Sequence, residues 1–241
     1  METCKRWLGR RIGILCLLVV TAGLFAGCTM PGRLDVNQSA VAYAELSGQY
    51  NSKNCEKIGF KADSGADAKA QDQKRFQRYY KESFFKLLRG RNRERIYMGL
   101  SSQKEWLDQV VEARMEAQQR MKITASGGDE KDTPVILTVK VTGVFNEEEI
   151  FDQAIAAADA AMQAPEVRGL APKAQGEKAA AVLLQKMIDV YNNVGTDTEE
   201  SFEACFIKHE KFWGPKDEQL FQDMLENAME GRDADRDADG K

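Results

Sequence analysis

Histidine is almost absent from this 241-residue chain, where His209 stands alone. That excludes zinc sites built on paired imidazoles and most catalysis that needs a histidine base. Five prolines leave little room for long proline-rich linkers. No Gly-x-Ser-x-Gly nucleophile turn occurs. Ser126-Gly127-Gly128 is followed by acid rather than by the Lys-Ser or Lys-Thr of a phosphate loop. A basic excess is lacking too: 34 Lys and Arg face 38 Asp and Glu, a net charge of -4, which excludes a chain-wide footprint for nucleic acid. The longest apolar run is about 15 residues, about 22 Å as a helix, against a bilayer core of about 30 Å. Hydrophobic residues at 43% and charged residues at 30% otherwise describe a globular chain.

That apolar run opens the chain. Lys5, Arg6, Arg10 and Arg11 precede it, it extends from Ile12 to Phe25, and Ala26-Gly27-Cys28 follows. A basic segment, an apolar segment and small residues make the three-part build of a secretory signal peptide. The ending Leu24-Phe25-Ala26-Gly27-Cys28 resembles the lipobox of bacterial lipoproteins, with Phe25 in place of the family's usual leucine and Leu24 beside it. The resemblance covers the first 28 residues; the remainder carries no family signature. It implies a signal peptide over residues 1–27, cut before Cys28. Cys28 would carry a diacylglycerol on its thiol and a further acyl chain, such as palmitate, on its new amino group. Two or more chains anchor stably where one does not. Thr29 stands where an aspartate would hold such a protein at an inner membrane. The implied location is the periplasmic side of the envelope, the outer membrane rather than the inner where the source has two.

From Cys28 onward 30 Lys and Arg face 37 Asp and Glu, a net of -7. Such a domain has no general attraction to nucleic acid or anionic lipid. Cys55 and Cys205 are the two thiols left beside Cys28. In an oxidising compartment they form a disulfide closing a long loop, or they are two buried reduced cysteines packing as small hydrophobes. Spacing alone leaves both readings open.

Residues 28–38 read as a tether, 39–230 as a single globular domain, and 231–241 as a disordered charged tail. A sub-boundary, if the later helices form their own bundle, falls near 146. Ser39–Tyr50 is a weak helix, and Cys55–Ala62 alternates like a strand around Ile58 and Phe60. Phe76, Tyr80, Phe84, Leu87 and Leu88 mark a helix over 71–89. Residues 95–100 read as a second strand. Ser102 and Glu105 form a capping box for a helix running to Met121. Val135, Leu137, Val139 and Val141 alternate along the clearest strand. Helices follow over 146–162 and 175–193, then one with Phe202, Cys205, Phe206, His209 and Trp213 on one face, then one opened by Pro215. The expected fold is α+β and predominantly helical, a strand-helix-strand-helix-strand layer followed by about four helices.

Candidate chemistry is sparse. His209 lacks a second histidine four residues on, where Trp213 stands, and reads as a core or interface residue. Cys205 lies one helical turn before it on the helical reading, a weak basis for thiol catalysis. Glu147-Glu148-Glu149 suits the positive end of a helix and requires no site. Asp235-Arg236-Asp237-Ala238-Asp239-Gly240 reproduces half of an EF-hand loop, but the chain given ends before the bidentate glutamate, so no calcium site is expected. Neither a catalytic residue nor a cofactor emerges. Lys74, Arg75, Arg78, Lys81, Lys86, Arg89, Arg91, Arg93 and Arg95 form one strong charge asymmetry, a patch for lipid headgroups or an acidic protein, or a solvated face paired with the acidic remainder. The functional expectation is a membrane-anchored, non-enzymatic envelope component that binds another envelope protein. The alternatives are a periplasmic carrier or receptor for a small or lipidic ligand, and an enzyme with a carboxylate-based site.

Overall fold

The computed structural model describes residues 33–89, 93–103, 105–131 and 133–231. Cys28 and the acidic motif after Gly231 lie outside the described residues. The first helix, α1 (Val36–Gln49), starts three residues earlier than expected because Asp35 caps it. The Asp35 carboxylate accepts from Gln38 N at 2.7 Å and the Gln38 side chain accepts from Asp35 N at 3.2 Å, a reciprocal capping box. Five of its eight buried residues are small: Ser39, Ala40, Ala42, Ala44 and Gly48. Small side chains let other elements approach closely, and a Cβ at Gly48 would stand 2.6 Å from Met229 Sδ.

Four antiparallel strands, β1 (Lys122–Ser126), β2 (Val135–Thr142), β3 (Glu199–Lys208) and β4 (Trp213–Pro215), lie in the order of the chain. The sheet curls so that α1 touches both edge strands, β1 and β4. Val135 pairs with Phe206 and Thr142 with Glu199, which places Leu137, Val139, Phe202, Ala204 and Phe206 together on the core face. Tyr43 of α1 fills the concavity, its ring edge-on to Phe60, Phe206 and Phe221. Its hydroxyl donates to Ile58 O at 3.2 Å. The opposite face carries Thr138, Lys140, Ser201 and Glu203 toward solvent.

Around this sit α2 (Ser64–Leu87), α3 (Glu94–Ser101), α4 (Trp106–Arg120), α5 (Glu147–Gln163), the single turn α6 (Pro165–Arg168), α7 (Pro172–Asn192) and α8 (Glu218–Met229). Phe76, Tyr80 and Phe84 turn one side of α2 inward, and Phe84 meets Trp106 of α4 edge-on at 5.4 Å. All core residues fall between Val36 and Met229, so the unit Gly32–Lys241 holds a complete core of its own.

The α+β, helix-dominated class therefore stands, but the strands are not where the leading strand-helix-strand-helix-strand layer put them. Cys55–Ile58 is a 3-10 turn ended by Gly59 at φ 87°. Residues 94–101 are helical, because Ile96, Gly99 and Leu100 follow the i, i+3, i+4 spacing of a buried helix stripe. Glu105, not Ser102, precedes α4, and Ser102 closes α3 by donating to Gly99 O at 2.7 Å. Lys122–Ser126 is a strand where only a helix end was expected. The largest correction is 199–208, a strand rather than a helix. Phe202, Ala204 and Phe206 satisfy a period of two, and β2 supplies the partner that decides between the periods. The four expected later helices are thus α5, α7 and α8 with a strand pair between them, and α8 starts at Asp217, whose side chain accepts from Leu220 N at 3.0 Å, rather than at Pro215.

Helices α3 and α7 cross at glycine on glycine. A Cβ on Gly99 would lie 2.2 Å from Gly176 O, and one on Gly176 would lie 2.2 Å from Arg95 O. Backbone is the obstacle, so no rotamer change can relieve it. Gly99→Ala and Gly176→Ala should each lower stability by about 1–3 kcal/mol, the cost of overpacking. Gly169→Ala, with nothing nearer than Pro165 O at 4.0 Å, should be neutral. Urea unfolding of the three variants checks this; equal midpoints would show that the crossing has room.

Candidate functional site

A charge cluster lies where five helices converge. Arg114 of α4 is 1% exposed, and its guanidinium sits 3.6 Å above the Phe76 ring. Its Nε donates to Glu147 Oε1 at 2.6 Å and its Nη2 to Glu230 Oε1 at 2.5 Å. Glu147 is the first residue of α5, and Glu230 follows α8. The same Glu147 Oε1 is within hydrogen-bond reach of the Tyr80 hydroxyl of α2 at 3.0 Å and of the Tyr191 hydroxyl of α7 at 2.8 Å, and the two hydroxyls also touch, so their two protons are shared among three contacts. Glu147 Oε2 and Arg114 Nη1 make no hydrogen bond.

Burial opposes the charge on Arg114, but Glu147 first and Glu230 after it outweigh burial and hold the guanidinium protonated. Burial, with Glu147 adding to it, pushes both tyrosine hydroxyls well above their ordinary range, so they stay donors. A second, more exposed group extends the cluster. Tyr50 OH donates to Asp72 at 3.0 Å, and Arg75 bridges Asp72 at 3.0 Å to Glu226 at 2.6 Å. Burial raises the Asp72 carboxyl in spite of Arg75.

A cleft of about 610 Å³ opens beside the cluster, between the start of α5, the end of α7 and the start of β3. Phe145, whose ring meets Tyr191 edge-on at 5.2 Å, forms part of its wall, while none of the five cluster residues lines it. Its charged lining is Glu149, Asp189, Glu199 and Glu200 against Lys186. Lys140 on the outer sheet face pairs with Glu199, and Gln185 donates to Asp189 at 2.7 Å. This is a cleft able to hold a ligand by shape and hydrogen bonds. Among the described residues no group of three or more His, Cys, Asp or Glu is arranged to hold a metal ion.

The residues singled out from the sequence are scattered. His209 is exposed in the turn after β3, stacked on Phe212 at 4.8 Å, instead of lying on a helix face. Cys205 is on a strand, so the helical-turn relation to His209 does not exist. Cys55 is buried beside Asn51 O, which its Sγ approaches at 3.9 Å, and burial raises its thiol pKa. Cys205 pairs across the sheet with Ile136 on the face away from the core. Both thiols are free. Of the basic residues, Arg75 and Arg93 are paired, the latter with Asp159 at 2.8 Å, as the solvated-face reading expects. Lys74, Arg78, Lys81 and Arg89 form no ion pair with any described residue. Glu147 was read only as a favourable helix start; its burial against Arg114 had no local signal beyond an arginine within the apolar stripe of α4. No family model, no curated protein and no solved structure matches the chain.

Arg114→Met strands the buried Glu147 carboxylate and takes one partner from Glu230, and should cost about 3–5 kcal/mol. Adding Glu147→Gln and Glu230→Gln should recover part of that loss, since no unpaired charge then remains buried. Denaturant midpoints of the single and triple variants decide, and a triple variant weaker than the single one would show that the cluster is not held by its charge balance. The thiol geometry gives a second expectation. Gly32–Lys241, alkylated in denaturant without reductant, should gain two adducts by mass spectrometry, and recovery of a Cys55–Cys205 linked peptide would contradict it.

Proposed function

We propose that this chain is a lipid-anchored protein of the bacterial cell envelope, acylated on Cys28 and facing the periplasm, which acts as a non-enzymatic binding or accessory component for another envelope protein. The observation that carries this reading is the basic-apolar-small series ending in Ala26-Gly27-Cys28. Its separation from the fold supports it. Asp35, which caps the first helix, lies seven residues after Cys28, so a fully extended tether reaches at most about 25 Å. A domain so held works at the membrane surface. No helix among the described residues is long and apolar enough to cross a membrane, so within them the sequence offers no other anchor of that kind. Arg114, Glu147, Tyr80 and Tyr191 are buried and none of them lines the cleft, which is consistent with structure rather than catalysis. Thr29 favours the outer membrane over the inner by the same resemblance.

One observation favours a second reading, a carrier or receptor for a small or lipidic ligand: the 610 Å³ cleft falls in the size range of small-molecule sites, about 300–1,000 Å³. A single preparation tests both. Cells fed a labelled fatty acid should mark the wild-type protein and not Cys28→Ser; equal labelling of the two would overturn the anchor. Native mass spectrometry of the purified protein should show no stoichiometric small molecule beyond the acyl chains, and finding one would favour the receptor.

A further inference from the structure

The outer face of α2 carries a row of charge that the fold leaves unused. Lys74, Arg78, Lys81 and Phe85 follow one another at steps of four, three and four, so they lie along one side of the helix, and Arg89, two residues past its end, continues the row. The side is opposite Phe76, Tyr80 and Phe84, which face the core. Its helical part, from Lys74 to Phe85, is about 16 Å long at 1.5 Å per residue. All five residues are exposed, with Phe85 at 49%. None of the four cations forms an ion pair with a described residue, although Arg75, on the flank of the same helix, finds two carboxylates. Arg89 stacks on the Phe85 ring at 5.1 Å, and Phe85 meets Tyr97 of α3 edge-on at 5.7 Å. Two acidic residues lie on this side: Asp67, two turns before Lys74, and the half-buried Glu82, one turn after Arg78, so the cations outnumber the carboxylates along the row by four to one.

We propose that this face of α2 docks on the headgroups of anionic phospholipids. The residues 32–241 carry a net charge of -7, so any attraction to an anionic surface must be local. Charges act over about 10 Å at 0.1 M salt, which confines it to the row itself. The shape selects a lipid surface over an acidic protein. A straight helix presents its cations to one plane, and neither the 610 Å³ cleft nor the 420 Å³ cleft between α1 and β1 includes a residue of α2. Aromatic rings set among the cations match the composition found at the headgroup level of membranes. Acylation at Cys28 would hold the domain near such a surface, but the row stands independently of it.

The test uses Gly32–Lys241, which holds a complete core and lacks Cys28, so failure of the anchor and failure of this proposal are separate results. Co-sedimentation is measured with vesicles of phosphatidylcholine alone and of phosphatidylcholine with phosphatidylglycerol at seven to three. Binding is expected to the second and not the first, and to vanish in 0.5 M NaCl. Each basic side chain at an anionic surface strengthens binding about fivefold. Lys74→Gln, Arg78→Gln and Lys81→Gln together should therefore weaken it about 100-fold, and Arg78→Gln with Arg89→Gln about 25-fold. Lys53→Gln, Lys211→Gln and Lys216→Gln change net charge as much as the first set but lie off the row. They should change binding by less than about threefold. Circular dichroism checks that each variant is folded. No preference for the anionic vesicles, or equal loss in the off-row set, overturns the proposal. So does row-dependent binding to polyglutamate without binding to vesicles, which would assign the face to an acidic protein.

Discussion

The contact between the Arg114 guanidinium and the carboxylate of Glu147 organises this molecule. Two buried carboxylates meet one buried cation there, and a buried charge without its partner is costly. Tyr80 and Tyr191 complete the shell of Glu147 Oε1, so four helices are tied to one oxygen or to its partner, and Glu230 brings in the end of a fifth. Ionic clusters of this kind demand geometry, because a slightly displaced helix leaves a buried charge without its hydrogen bond. The cluster thereby holds Phe145 against Tyr191 and shapes a wall of the neighbouring cleft.

The sheet is organised by a different constraint. Helix α1 lies inside its curl, where small residues along it allow a close approach and Tyr43 fills the concavity. At one end Asn37 accepts from Gly128 N at 3.1 Å and donates to Gly128 O at 3.2 Å, and at the other Gln49 donates to Met121 O at 2.5 Å. These amides act as a neighbouring backbone would just beyond the ends of β1, an edge strand whose outward groups otherwise need partners. The core between helix and sheet is aromatic, with Tyr43, Phe202, Phe206 and Phe221 in edge-on contact. With one sheet face and the inner sides of the helices consumed, the chemistry left at the surface lies in the cleft and on α2.

Legibility varied with length and with the distance over which partners lie. The α2 helix was readable because its apolar side repeats over several turns, and β2 because Val135, Leu137, Val139 and Val141 alternate strictly. The segment 199–208 was misread because Phe202 and Phe206 fit periods of both two and four. Short segments such as Cys55–Ile58 hold too few apolar residues to distinguish a turn from a strand. Of the functional features, the cationic side of α2 was visible in sequence, but which of its charges were free was not. The Arg114 cluster was not visible, since Glu147 and Glu230 lie 33 and 116 residues from their partner.

What the sequence by itself determined is the local part: the lipobox resemblance at Cys28, the helix-rich α+β class, the long amphipathic α2 and the alternation of β2. Each rests on neighbours within a few turns of chain, where spacing dictates which side chains share a face. Only the tertiary structure decided that 199–208 pairs as a strand and that Gly99 and Gly176 meet. It also decided that Arg75 meets Asp72 and Glu226 while Lys74, Arg78, Lys81 and Arg89 form no ion pair with a described residue. The physical reason is common to these cases. A strand requires a partner edge, a close crossing requires an opposing backbone, and a charge is free or paired according to what a distant segment brings beside it.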